Sequence, residues 1–221
     1  MIDIKKLIEY RIMDDAEQIK RGKEDIESFH ASSVSSCARQ LFLTKIHAKT
    51  FDISIKSKMQ IGSAIHSHIQ AYQEIRDVFD VEVPVRYQIE GSPAYIIGSA
   101  DLVAKDKSLL LDIKSIAGLS FVITKAIPEH LVQLNVYMKC LNINDGQILY
   151  VAKTDMQMVT HNWKYNEIVF EETCRKIISV YEALKIWENA GAFNNPIPFE
   201  KCKHYCFGCD TEQIKPEFKR L

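Results

Sequence analysis

Apolar residues change their spacing twice along the chain, dividing it into a helical start, a strand-rich middle and a helical end. Ser57 to Asp77 carries Ile61, Ile65 and Ile69 at four-residue steps, extended by Ala64 and Tyr72, which predicts a helix with one buried face. From Asp80 to Glu90 the pattern alternates instead (Val81, Val83, Val85, Tyr87, Ile89), as a half-buried strand does. Gly91-Ser92-Pro93 turns the chain back into a second strand, Tyr95 to Ala104. Leu109 to Lys114 reads as a third strand, apolar enough to lie inside a sheet. Pro128, at a favoured first-turn position, opens a helix running to about Cys140. Asn144-Asp145-Gly146 then leads into strands at Gln147–Lys153 and Gln157–Trp163, and Asn166 to Asn189 is a long helix ended near Gly191. Upstream, residues 2–28 read as a charged amphipathic helix and Arg39 to Lys45 as a short one.

These elements predict an α/β domain: a mostly antiparallel sheet with one crossover helix, flanking helices and a cysteine-bearing lid. At 221 residues the chain fits one domain. Within it, 1–56 is a helical part carrying the first cysteine, 57–165 the core, and 166–221 a helix followed by the cysteine segment.

Composition narrows the setting. Hydrophobic content of 47% and charged content of 26% suit a soluble globular protein. No apolar run approaches the roughly 20 residues of a membrane span, and Met1 to Lys23 is charged rather than signal-like. A cytoplasmic protein without a membrane partner is expected. A net charge of −1 excludes a protein that coats nucleic acid electrostatically. A local patch survives: Arg39, Lys45, Lys49, Lys56 and Lys58 face a single acid, Asp52, between Cys37 and Gln60. That suffices to grip a few nucleotides, though a solvated loop and helix would carry the same charges.

Candidate chemistry comes from residues that are ordinary singly and informative together. Asp112 and Lys114, two apart on a strand, leave the same face, and burying both needs a partner. They read either as a structural ion pair or as a carboxylate for Mg²⁺ or Mn²⁺ beside an ammonium that orients water. A hairpin of the second and third strands would bring Asp101, three residues after Gly98, to Asp112. His66 shares a helical face with Gly62 and Gln70, and Gln133 shares one with Tyr137. Gln133 and Tyr137 can contact a phosphate, sugar or base. Cys202, Cys206 and Cys209 fall within eight residues, and Cys37 is the candidate fourth thiolate. Four sulfurs suit zinc or an iron–sulfur cluster, while Cys140 and Cys174 read as core.

Taken in order, Gly62-x3-His66, Gly98-x2-Asp101, Asp112-x-Lys114, Gln133-x3-Tyr137 and the cysteines resemble the RecB-like branch of the PD-(D/E)xK nuclease superfamily. The resemblance runs from Cys37 to Cys209. It is narrower to the iron–sulfur members, among them AddB-type nuclease domains and CRISPR-associated exonucleases with their viral relatives. It implies a restriction-endonuclease-like core, a mixed central sheet flanked by helices, with a cysteine-ligated cluster lid. It further implies that His66, Asp101, Asp112 and the Ile113 carbonyl bind Mg²⁺ or Mn²⁺ and that Lys114 assists the nucleophile. A [4Fe–4S] cluster would sit on Cys37, Cys202, Cys206 and Cys209, although C-x3-C-x2-C departs from the family's C-x2-C start. The expectation is a DNA exonuclease for single strands or frayed ends, with Arg39, Lys45, Gln133 and Tyr137 on the DNA. Recombination or CRISPR-adaptation proteins and a homo-oligomer are the further partners it implies. The rival reading is a non-enzymatic zinc-bound nucleic-acid-binding or assembly protein whose acids are structural.

Overall fold

One strand, Tyr95–Ala104, organises the sheet of the computed structural model, which describes residues 25–46, 53–189 and 197–202. In chain order the elements are β1 (Ser28–His30), α1 (Ala38–Ile46), α2 (Ile53–Gln70), α3 (Gln73–Val78), β2 (Phe79–Gln88) and β3 (Tyr95–Ala104). They continue with β4 (Leu110–Ile116), a 3₁₀ turn (Leu119–Phe121), α4 (Pro128–Leu141), β5 (Asp145–Ala152), β6 (Met158–Lys164) and α5 (Glu167–Asn189).

Along one edge β3 pairs antiparallel with β2 from Gln88↔Tyr95 to Phe79↔Ala104. Along its other edge it pairs parallel with β1 at Tyr95–Ile97, and antiparallel with β4 only at Leu102↔Leu111 and Val103↔Leu110. Beyond that point β4 runs parallel to β5, from Leu110↔Gly146 to Ile116↔Ala152, and β5 pairs antiparallel with β6. The sheet is therefore mixed, as the resemblance implied, with three antiparallel pairings and two parallel ones among the described residues. A parallel pair needs a long crossover, and α4 supplies one for β4 and β5.

Helices cover both faces. The larger core joins β-strand residues such as Ile96, Leu110, Ile148 and Tyr150 to Phe42 of α1, Leu134 and Met138 of α4, and Ile177 and Tyr181 of α5. A smaller cluster lies beneath α2, where Ile65 and Ile69 meet Leu102, Ile113 and Val151. Ile65 and Ile69 carry the predicted four-residue period onto the sheet, whereas Ile61 stays half exposed.

Two boundaries differ from the sequence expectation. Residues 25–30 form a turn and the short strand β1 rather than the end of a helix; residues 2–24 of that predicted helix lie outside the described residues. The helix expected over 57–77 breaks at Ala71–Tyr72, where Tyr72 is extended (φ −63°, ψ 132°). Arg76 Nε donates to the Gln70 carbonyl at 2.8 Å, satisfying an acceptor that the end of α2 leaves open. Among the described residues, no helix is long and apolar enough to cross a membrane.

Candidate active site

The short β3–β4 ladder creates the site. Past Leu102↔Leu111 the strands part, so Asp101 on β3 and Asp112 on β4 flank the mouth of a fork instead of a continuous ladder. The backbone N–H of Ile113 donates to Asp101 Oδ2 at 2.6 Å, replacing the strand pairing that the fork removes. His66 reaches the same carboxylate from α2, with Nδ1 3.5 Å from Asp101 Oδ1.

Close backbone approach explains the glycines of two motifs. A Cβ at Gly62 would lie 2.8 Å from Ser115 Oγ, so its absence lets α2 settle on β4 with His66 over Asp101. A Cβ at Gly98 would lie 3.0 Å from both the hydroxyl and Cε1 of Tyr137, so the phenol rests against bare backbone of β3. The helical cost of Gly62, about 1 kcal/mol relative to Ala, is offset by that fit.

Helix α4 presents the amide and the phenol together. Lys114 Nζ donates to Gln133 Oε1 at 2.9 Å, and Gln133 Nε2 donates to the Tyr137 hydroxyl at 3.3 Å. Lys114 Nζ also lies 2.9 Å from Asp112 Oδ2. A line of polar groups thus runs from Asp112 through Lys114 and Gln133 to Tyr137. The Lys114 approach lacks hydrogen-bond geometry, and the buried Asp112 Oδ2 has no hydrogen-bond partner.

Burial governs the electrostatics. Asp112 is 1% exposed, and desolvation pushes its carboxyl up to about 6, with Lys114 pulling the other way and Asp101 adding to the rise. Burial likewise raises the Tyr137 phenol far above its ordinary value, so it stays protonated at any working pH. His130, one turn before Gln133, is held down to about 4 by burial and by Lys114. Its Nδ1 lies 3.0 Å from the Tyr150 hydroxyl, which accepts the Ile127 N–H at 2.9 Å.

The donor set fits a hard divalent cation in its chemistry: two carboxylates, one with a buried orphan oxygen, and an imidazole at one opening. Ile113 is fully buried there and already holds Asp101 through its N–H. Among the described residues, however, no three His, Cys, Asp or Glu side chains close into a ready metal cage. The Ile113 amide holds one oxygen of Asp101, and the Lys114 ammonium lies 2.9 Å from Asp112 Oδ2 without hydrogen-bonding it.

The expected cluster ligands are described in part. Cys37 is half-buried and accepts the Gln40 N–H at 3.4 Å; Cys202 is exposed; neither forms a disulfide. Cys206 and Cys209 lie outside the described residues. Phe199, three residues before Cys202, packs on Phe42 with ring centroids 5.8 Å apart, bringing that segment to the helix that follows Cys37. Cys140 and Cys174 pack against the core as expected, and burial pushes their thiols up to about 12 and about 11.

Two basic residues expected on DNA donate to backbone carbonyls. Arg39 Nη1 donates to the Phe199 carbonyl at 2.7 Å, and its Nε is buried without a partner. Lys45 Nζ donates to the Ser28 carbonyl and, at 3.2 Å, to that of Asp25. Both tie α1 to neighbouring chain.

A clamp around Asp101 escaped the sequence reading. Glu82 on β2 lies opposite Asp101 with φ 50°, in left-handed backbone, and that pair is missing from an otherwise continuous ladder. Gln70 Nε2, buried at the end of α2, donates to Glu82 Oε1 at 2.8 Å and to the Asp101 carbonyl at 3.3 Å. Ser99 Oγ donates to Glu82 Oε2 at 2.8 Å. The only sequence signal was Gln70 standing one turn after His66.

No protein-family model matches the chain, and no curated protein sequence matches it significantly. Solved structures share its fold. The crystal structure of SSO0001 superposes with a TM-score of 0.59 at 17% identity, covering 86% of this chain and 90% of that one. The alkaline exonuclease LHK-Exo from Laribacter hongkongensis gives 0.55 at 16% identity, covering 76% of this chain and 94% of that one. The same enzyme in complex with dAMP gives 0.55 at 16% identity, covering 75% and 94%.

Proposed function

We propose that the chain is a metal-dependent DNA exonuclease of the RecB-like iron–sulfur type, acting on single strands or frayed ends. The observation that carries this reading is the β3–β4 fork, where Asp101, Asp112, Lys114 and His66 converge around a buried carboxylate oxygen lacking a hydrogen-bond partner. A fold shared with an alkaline exonuclease, also solved with dAMP, supports it.

His66, Asp101, Asp112 and the Ile113 carbonyl would hold Mg²⁺ or Mn²⁺, which supplies Lewis-acid polarisation of the scissile phosphate and activation of water. The chain's own groups do the rest. Gln133 holds the Lys114 ammonium beside Asp112, where it offsets charge gathering on the phosphate and orients the attacking water. The Ile113 amide fixes one oxygen of Asp101, and the Gln70 amide fixes the backbone behind it. Protonated Tyr137 offers a donor to the strand beside Gly98. Cys37, Cys202, Cys206 and Cys209 would carry a [4Fe–4S] cluster closing the chain over the cleft; iron content of anaerobically purified protein tests that assignment, and its absence removes it.

For the nuclease, oligonucleotides labelled at either end are digested with manganese. Asp112→Ala and Lys114→Ala are each expected to lower the rate by at least about 10²–10³-fold. Wild-type rates from both variants would end the reading.

A further inference from the structure

The segment joining the lysine strand to the amide helix, residues 117–127, carries Phe121, the most exposed large apolar side chain among the described residues. Phe121 is 85% exposed and Ile123 61%, while Val122 between them is fully buried. This segment is built rather than slack. The Val122 N–H donates to the Leu119 carbonyl at 2.8 Å, His161 Nε2 donates to the Val122 carbonyl, and Ile127 N–H is held by Tyr150. A buried anchor with three hydrogen-bonded fixings therefore holds two apolar side chains out in water, at a standing hydrophobic cost.

Its position follows from the sheet register. His161 pairs with Ile148, and Ile148 pairs with Asp112. His161 thus sits two strand spacings, about 10 Å, from the Asp112 row, and the Val122 anchor lies one imidazole beyond it. That is within a few nucleotides of a phosphate at the fork. Charge agrees: from Ile113 to Pro128 there is no acid, and Lys114 and Lys125 are basic. An apolar step beside cationic groups suits a nucleobase on its phosphodiester chain, since every base offers an aromatic face and every linkage a negative charge.

We propose that Phe121, supported by Ile123, is a stacking step for an unpaired base of the DNA strand whose phosphate lies at the fork; this rests on the nuclease reading. Stacking there would hold the strand end single and keep the next phosphate in line. The test uses the full chain and a single-stranded oligonucleotide carrying 2-aminopurine, titrated with calcium in place of manganese. Wild type should quench the probe on binding. Phe121→Ala should lose the quench and bind about tenfold more weakly, the effect of removing one base–aromatic stack. Phe121→Trp should restore both, and Ile168→Ala, which removes an exposed isoleucine of α5, should match wild type. Unchanged quench and affinity in Phe121→Ala would overturn the proposal. Manganese-dependent digestion by wild type, run in parallel, separates the two readings. Digestion with an indifferent Phe121→Ala removes only the stacking step, whereas no digestion or binding by wild type removes the nuclease and the step with it.

Discussion

Lys114 stands 2.9 Å from Asp112, and Lys139 stands 3.0 Å from Glu167, yet the two carboxyls are pushed in opposite directions. Glu167, 52% exposed, is lowered by hydrogen bonds from Tyr165 and Lys139. Asp112 is raised because burial outweighs the ammonium beside it. The distances are nearly equal; what differs most is solvent, with the Tyr165 hydrogen bond helping Glu167 and the Asp101 charge opposing Asp112. Water already stabilises an exposed carboxylate and leaves a neighbouring lysine little to add. A carboxylate in the fork has lost that water, and one lysine does not replace it. Such a group remains short of positive charge, and that shortage is what a divalent cation would relieve.

The contrast can be broken most sharply at the lysines. Lys114→Met should destabilise the metal-free protein by about 3–5 kcal/mol at pH 8, read from urea denaturation, because it strands a buried carboxylate. A much smaller loss would mean that the pair is solvated like its surface counterpart. Next in size is a pH effect. The folded Asp112 carboxyl titrates near 6, above its ordinary 3.8, so the folded state binds the extra proton. Its contribution is present below about pH 4 and is lost as pH rises through 6. Relative to Asp112→Asn in EDTA, wild type should lose about 3 kcal/mol across that window, at 1.36 kcal/mol per unit. Manganese at pH 7 should then raise the melting temperature of wild type and not that of Asp112→Asn.

Smaller again is the clamp. Gln70→Leu should cost about 1–3 kcal/mol by leaving the Asp101 carbonyl and Glu82 without their donor, measured by the same denaturation. Smallest is Glu167→Gln: any change in urea midpoint should vanish at high salt, since the pair lies in water. A salt-resistant loss there would erase the distinction between the two pairs.

How much was readable in the chain follows the same division between local and distant causes. Alternation placed β2, and the Gly91-Ser92-Pro93 turn placed β3, because these two partners lie next to each other in sequence. Pro128 and the apolar spacing likewise marked α4. The three residues of β1 are too few to show a period, and their strand character comes from lying beside Tyr95–Ile97, far along the chain. Asp101, Asp112, Lys114, Gln133 and Tyr137 converge as their ordered spacing suggested. The backbone carbonyls that Arg39 and Lys45 meet were not readable from charge, because only the fold brings those carbonyls to them. The Glu82 clamp was unreadable because nothing in a glutamate's identity announces left-handed backbone.

The Tyr150 hydroxyl carries a last implication. Helix α4 begins without a capping side chain from its own neighbourhood; Ile127 at its entry donates instead to an oxygen on β5, over twenty residues away. The start of that helix, which carries Gln133 to Lys114, is thus fixed by a contact from β5. A peptide spanning 126–142 alone should therefore fray at its first turn, because the oxygen that holds its entry belongs to the sheet.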